Sequence, residues 1–92
     1  MSKLEEIRER FQNDRFATDA AGIVIDSAEP GKAVCSLHLE LRHMNANKVP
    51  MGGAIFTLAD FACAVAANGY SEKMTVSQNA SITFCAPARG VR

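Results

Sequence analysis

The spacing of apolar residues changes along this chain, and each change predicts an element. Leu4, Ile7 and Phe11 recur at steps of three and four among Glu5, Glu6, Arg8, Glu9 and Arg10, which predicts a surface helix over 3–14 lying on one stripe. Ser2 followed by Glu5 fits the capping box that opens such a helix. Residues 15–21 show no period and are expected to be irregular. Gly22-Ile23-Val24-Ile25-Asp26 reads as a short β-branched strand, and Glu29-Pro30-Gly31-Lys32 as a turn with Pro and Gly in turn-forming order. From about 33 to 41 the pattern alternates: Ala33, Cys35, Leu37, Leu39 and Leu41 face one way, and Val34, Ser36, His38 and Glu40 the other. One face of that strand is covered and one is wetter, so the two strands predict an antiparallel hairpin.

A loop over 42–51 separates the hairpin from a run that is apolar nearly all the way round, predicted as a helix over 53–68 and closed at Asn68-Gly69 as by a C-cap. A last strand is expected at about 75–85, where Val76, Gln78, Ala80, Ile82 and Phe84 alternate with Ser77, Asn79, Ser81 and Thr83. The order is helix, strand, strand, apolar helix, strand. A central apolar helix needs a sheet wrapped around it, and three strands wrap too little. More strands, or a partner chain, are expected to complete the cover.

Within the apolar helix Asp60 is the only charged residue. An isolated carboxylate inside a protein costs several kcal/mol, roughly, unless it is paired, hydrogen-bonded or protonated. A carboxyl buried with few partners holds its proton to higher pH, towards the range useful for acid–base work. Asp60 is therefore expected to be buried and to be a candidate catalytic acid or base. Gly52-Gly53 opens the same helix, and the N–H groups at a helix start can hold a developing negative charge. An acid on the helix and an anion hole at its start are two parts of a hydrolytic site.

The bulk numbers narrow the field. Ninety-two residues make one small domain, 1–92, with a modest core that self-association would complete. Ten basic and 10 acidic residues cancel, which gives no general attraction to nucleic acid or to an anionic membrane. The cysteines, Cys35, Cys63 and Cys85, are odd in number and widely spaced, so they read as reduced, buried thiols of a cytoplasmic protein rather than as a disulfide frame or zinc site. The start Ser2-Lys3-Leu4-Glu5-Glu6 is too charged for a signal peptide, and the apolar run is alanine-rich and a poor membrane span.

From 43 to 68 the chain resembles the hotdog-fold acyl-CoA thioesterases of the phenylacetate-pathway, PaaI-like type. Their pattern is roughly N-x-x-x-x-x-H-G-G-x-x-x-x-L-x-D, met here by Asn45, then Met51-Gly52-Gly53, then Leu58-Ala59-Asp60. Ser81-Ile82-Thr83-Phe84-Cys85-Ala86-Pro87-Ala88-Arg89-Gly90 resembles the strand and turn that follow the family's helix. The resemblance implies an α+β hotdog fold, with an antiparallel sheet wrapped around the helix. It implies a homodimer or homotetramer with the active site between subunits, Asn45 and Gly52 acting from one chain and Asp60 from the other. The implied reaction is hydrolysis of an aryl- or fatty-acyl-CoA thioester. The Gly52 N–H would polarise the carbonyl, and Asp60 would act as general base or as nucleophile. Asn45 would lie near the thioester or the attacking water, and Ser77 would help orient water or carboxylate. Met51, Gly53, Ile55, Phe56 and Phe84 would border the substrate. No metal or redox cofactor is implied, coenzyme A being part of the substrate.

Two departures follow from the same comparison. The family usually has His where this chain has Met51, and its members continue for further strands beyond the length of this chain, so the domain is expected to be incomplete at its C-terminal end. Met51 motivates an alternative function, a non-catalytic acyl-CoA-binding module; the chain's length motivates another, a truncated fragment without activity. Lys48, Arg89 and Arg92 are candidates for coenzyme A phosphates at a site mouth. His38 and His43 have no neighbouring carboxylate or serine in sequence and read as structural or solvated, and Cys63 lacks a basic neighbour that would make it a nucleophile.

Overall fold

A computed structural model of the chain describes residues 2–70 and 82–83. Helix α1 spans Lys3–Phe11, shorter by three residues than the periodicity alone predicts. Ser2 caps it as expected, its hydroxyl accepting from the Glu5 N–H at 3.1 Å. Ile7 and Phe11 are the buried members of its stripe.

The segment expected to be irregular is instead ordered as a π-helical turn, Phe16–Ala20, closed by the Ala21 N–H donating to the Phe16 carbonyl at 2.8 Å. Thr18 stabilises it by donating its hydroxyl to the Asp14 carbonyl at 3.0 Å. Apolar spacing carries no signal for a single wide turn of this kind, because its bonds are local and mostly backbone.

Strands β1 (Ile23–Glu29) and β2 (Lys32–Leu37) form the antiparallel hairpin, with Ile23 opposite Leu37, Ile25 opposite Cys35 and Glu29 opposite Lys32. Pro30-Gly31 makes a two-residue turn, and Gly31 supplies the positive φ of 75°. The ladder shifts register between Ile25 and Ser27, a bulge at Asp26. The extra residue reverses the alternation, so Ala28 rather than Ser27 packs against the core. Arg8 of α1 donates from Nε and one Nη to the Ile25 carbonyl beside the bulge, at 2.9 and 2.7 Å. β2 ends at Leu37, four residues before the alternation does. Leu39 still packs against the core, but Leu41 lies in a 3-10 turn, Leu41–His43, and is 91% exposed. The turn is made by Glu40, whose side chain accepts from the His43 backbone, and by His43, whose ring accepts from the Glu40 N–H.

Helix α2 spans Gly52–Asn68 and packs chiefly on β2, with further contacts to β1. Its buried residues, Phe61, Val65 and Asn68, follow steps of four and three. Phe61 meets Phe11 edge-to-face with ring centroids 5.8 Å apart. Ile7, Phe11, Ala17, Ala21, Ile23, Ile25, Leu37, Phe61 and Val65 form one core. At the end of α2, Arg10 of α1 donates to the Asn68 carbonyl at 2.7 Å, a cation on the negative end of the helix. Gly69 caps α2 in right-handed geometry (φ −58°). Close approach explains the glycine there: a Cβ would lie 2.7 Å from the Val65 carbonyl and 3.4 Å from Ile7 Cδ1.

The expectation that α2 is buried all round is not met within this chain. Gly53, Ala59, Cys63 and Ala67 are exposed, and Asp60 with them. The physical reason is that the described residues hold one hairpin, which covers one side of a helix. Cys63 is accordingly an exposed thiol and Cys35 a half-buried one, where buried thiols were expected. The strand predicted at 75–85 lies outside the described residues, apart from Ile82 and Thr83, which are not in a strand.

Candidate functional site

The loop between β2 and α2 is built around Asn45. Its Oδ1 accepts from the Asn47 N–H at 2.9 Å and from the Val49 N–H at 3.3 Å, and its backbone N–H donates to the Val49 carbonyl at 2.8 Å. These bonds hold Lys48 in the left-handed region (φ 64°), where the Lys48 N–H reaches the Asn45 carbonyl at 3.0 Å. Asn45 thus makes the turn with its own backbone, and its oxygen is used in doing so. Among the described residues its Nδ2 has no acceptor.

The loop closes like a short ribbon. Met44 bridges Pro50, and the Met51 N–H donates to the His43 carbonyl at 2.7 Å. This sets Asn45 and the start of α2 at the same end of the molecule. Met51 is the N-cap residue in extended geometry, and its side chain cannot accept a capping bond. The Ala54 and Ile55 N–H groups donate to the Met51 carbonyl at 3.0 and 3.3 Å. The Gly52 and Gly53 N–H groups have no acceptor among the described residues. The helix therefore presents two backbone donors at the positive end of its dipole. Met51 is half-exposed, and its Sδ lies 3.7 Å from where a Cβ on Gly53 would be, so the thioether rests over the opening of the helix. Ile55 and Phe56, in the next turn, are half-buried.

His43 is 4% exposed and ties this end together. Its Nδ1 accepts from the Glu40 N–H at 2.9 Å, and its Nε2 lies 2.7 Å from the Ala21 carbonyl. A carbonyl only accepts, so the ring is the Nε2-protonated tautomer. One residue thus fixes the 3-10 turn, the end of the π-helical turn and, through its own carbonyl, the N-cap of α2. Of the two readings the sequence left open, structural or solvated, the buried ring with both nitrogens bonded is the structural one. Its hub role had no sequence signal, because the ring bonds only backbone groups, and the Ala21 carbonyl is 22 residues away along the chain.

Asp60 lies two turns along α2. Eight residues from Gly52 amount to an axial rise of about 12 Å. That exceeds what a carboxylate on its short stem spans, so Gly52 and Asp60 of one chain cannot both reach one carbonyl group. Asp60 instead lines a groove of about 330 Å³ with Thr57, Phe61 and Ala64 of α2, with Asp14 and Arg15 from the link after α1, and with Phe16 and Ala17 of the π-helical turn. The last four escaped sequence reasoning; the available signal was Phe16, a large apolar residue in an otherwise polar stretch. Ser77, Phe84 and Arg89, together with Arg92, lie outside the described residues. No group of three His, Cys, Asp or Glu side chains among the described residues is arranged to hold a metal ion. No helix among them is long and apolar enough to cross a membrane.

The family pattern of the thioesterase superfamily matches residues 47–90, which takes in Gly52, Gly53 and Asp60. The fold is similar to that of the E. coli PaaI protein from the phenylacetic acid degradation operon, with a TM-score of 0.78 and 28% identity over 92% of this chain. This chain spans 61% of the length of that one. No curated protein matches it. The fold is of the hotdog type, with α2 as the central helix and the β1–β2 hairpin as part of the enclosing sheet.

Proposed function

We propose that the chain is the helix-bearing part of an acyl-CoA thioesterase acting on an aryl-acyl thioester, with its site completed by a second copy. The observation that carries this is the start of α2: two backbone donors without acceptors among the described residues, left uncapped by Met51, at the end of the molecule that also holds the Asn45 loop. Such donors stabilise the oxyanion of acyl transfer, and loss of one costs roughly 2.7–4 kcal/mol in other hydrolases. Asn45 Nδ2 is the end of that side chain left to donate to the thioester or to the attacking water. Asp60 takes a proton from water or attacks the carbonyl. The axial separation of Gly52 and Asp60 favours a homodimer in which these groups come from different chains, as the family resemblance implies. The chemistry uses no metal or redox cofactor. The phenylacetic acid degradation operon of the similar E. coli protein supports the choice of an aryl-acyl substrate.

The test is coenzyme A thiol release from phenylacetyl-, hydroxyphenylacetyl-, short- and medium-chain acyl-CoA, with Asp60→Asn alongside. Release that disappears in the variant supports a thioesterase using Asp60. Acyl-CoA binding without release, equal in both proteins, overturns it in favour of a binding module, the reading that Met51 motivates.

A further inference from the structure

We propose that Phe16 determines specificity: the groove between the π-helical turn and α2 receives the aromatic acyl group of the substrate, and Phe16 is its outer wall. The inference rests on the thioesterase reading above and adds to it a place for the acyl group.

A single exposed apolar residue is ordinary on a protein surface. Phe16, 69% exposed, differs in its position and its support. It lines the same groove as Asp60, the candidate base. Ala17, Phe61 and Ala64 supply further apolar lining, while Asp14, Arg15, Thr57 and Asp60 contribute polar groups. The backbone that carries Phe16 is a π-helical turn, an uncommon form that recurs at functional sites. It is pinned at both ends, by Thr18 on the Asp14 carbonyl at 3.0 Å and by the buried His43 on the Ala21 carbonyl at 2.7 Å. Arg42 adds a contact to the Asp19 carbonyl at 3.4 Å. Phe16 is thus held at the groove by a scaffold that also anchors the start of α2.

Size and shape choose the occupant. A volume of about 330 Å³ lies at the low end of small-molecule sites, enough for an acyl group and not for a coenzyme as well. Phe16 offers an exposed aromatic face to a ring, which prefers offset or edge-to-face partners, and the buried Phe61 backs the groove. An acetyl group is too small to meet Phe16, and the residue then adds little to its binding.

The experiment compares Phe16→Ala and Phe16→Leu with the wild type on phenylacetyl-CoA and acetyl-CoA, after confirming that melting is shifted by no more than a few degrees. For Phe16→Ala, kcat/KM on phenylacetyl-CoA should fall about tenfold, chiefly through KM, against about twofold on acetyl-CoA, with Phe16→Leu between. An equal change on both substrates overturns the proposal. A second arm needs no turnover: the chain has no Trp, so Phe16→Trp introduces a sole indole. Its emission should shift with phenylacetyl-CoA and not with coenzyme A alone; indifference to both, or the same response to both, overturns the proposal. Hydrolysis that depends on Asp60 with no acyl discrimination by Phe16 removes this inference and keeps the thioesterase reading. An acyl-specific emission shift without hydrolysis keeps the groove and removes the catalytic reading.

Discussion

α1 is mostly charged and α2 mostly apolar, yet α1 is the helix whose apolar surface is fully accounted for within the chain. Ile7 and Phe11 are buried, Leu4 packs at the margin, and the intervening charges work: Arg8 satisfies the carbonyl beside the bulge and Arg10 the end of α2. α2 buries Phe61, Val65 and Asn68 on one side and leaves Ala59, Asp60, Cys63 and Ala67 exposed on the other. Composition states how much surface a helix needs covered. It does not state whether the cover comes from the same chain.

The comparison breaks if the inner side of α2 is no more important to stability than the outer. Phe61→Ala should destabilise the chain by about 3–4 kcal/mol, because it removes a buried ring and its edge-to-face contact with Phe11. Cys63→Ser, two residues along and on the exposed side, should stay within about 0.5 kcal/mol. Urea denaturation measures both, and equal costs would mean that the core is elsewhere. The outer side should show the reverse profile. Asp60→Asn should lower thiol release at least about a hundredfold with the unfolding midpoint nearly unchanged, since a general base supplies that much and the amide is close in shape. Turnover within a few-fold of wild type would remove Asp60 from the chemistry.

How much of this was legible depended on the range of the interaction. The N-cap at Ser2, the stripe of α1, the Pro30-Gly31 turn and the extent of α2 within one residue follow from neighbours along the chain, where spacing and residue type suffice. Asp60 and Gly52 stood out as the lone charge and the glycine start of an apolar helix, whereas Asn45 stood out only through the family resemblance. The bulge at Asp26 was not legible, because it moves Ala28 inward through a pairing with a distant strand. The early end of β2 was set by Glu40 and His43 closing on each other, against an alternation that ran on to Leu41. The exposure of Asp60 was misjudged because an apolar helix was equated with one buried by its own chain. The groove wall at Phe16 was hidden in a turn that periodicity does not detect.

His43 sharpens the contrast from the other end of α2. Its ring bonds hold the 3-10 and π-helical turns, and its carbonyl holds the Met51 N–H. His43→Leu fills the space but strands the Glu40 N–H and the Ala21 carbonyl, at a cost of about 1–3 kcal/mol. Hydrogen exchange should then rise in the π-helical turn and at Met51 while α1 around Ile7 and α2 around Val65, both in the core, stay protected. Uniform loss of protection would show that His43 supports the whole core rather than this end.

The smallest effect separates the two thiols, best read in a Cys85→Ser background. Burial pushes the Cys35 thiol above its usual range, and Asp26 adds to the shift. Cys63 is exposed and should react first with an alkylating reagent at neutral pH, whereas reaction at Cys35 should begin only at higher pH. Stability carries the same sign. Where the unfolded chain has lost the thiol proton and the folded chain still holds it, unfolding is favoured by rising pH. The contribution of Cys35 is therefore constant below the ordinary thiol range near pH 8.5 and declines above it, a decline that Cys35→Ala should abolish. Asp26→Asn should move the onset of Cys35 reactivity only part of the way back, because burial is the larger cause. A full return would make the charge at the bulge, and not the packing of α2 on the hairpin, what keeps this thiol protonated.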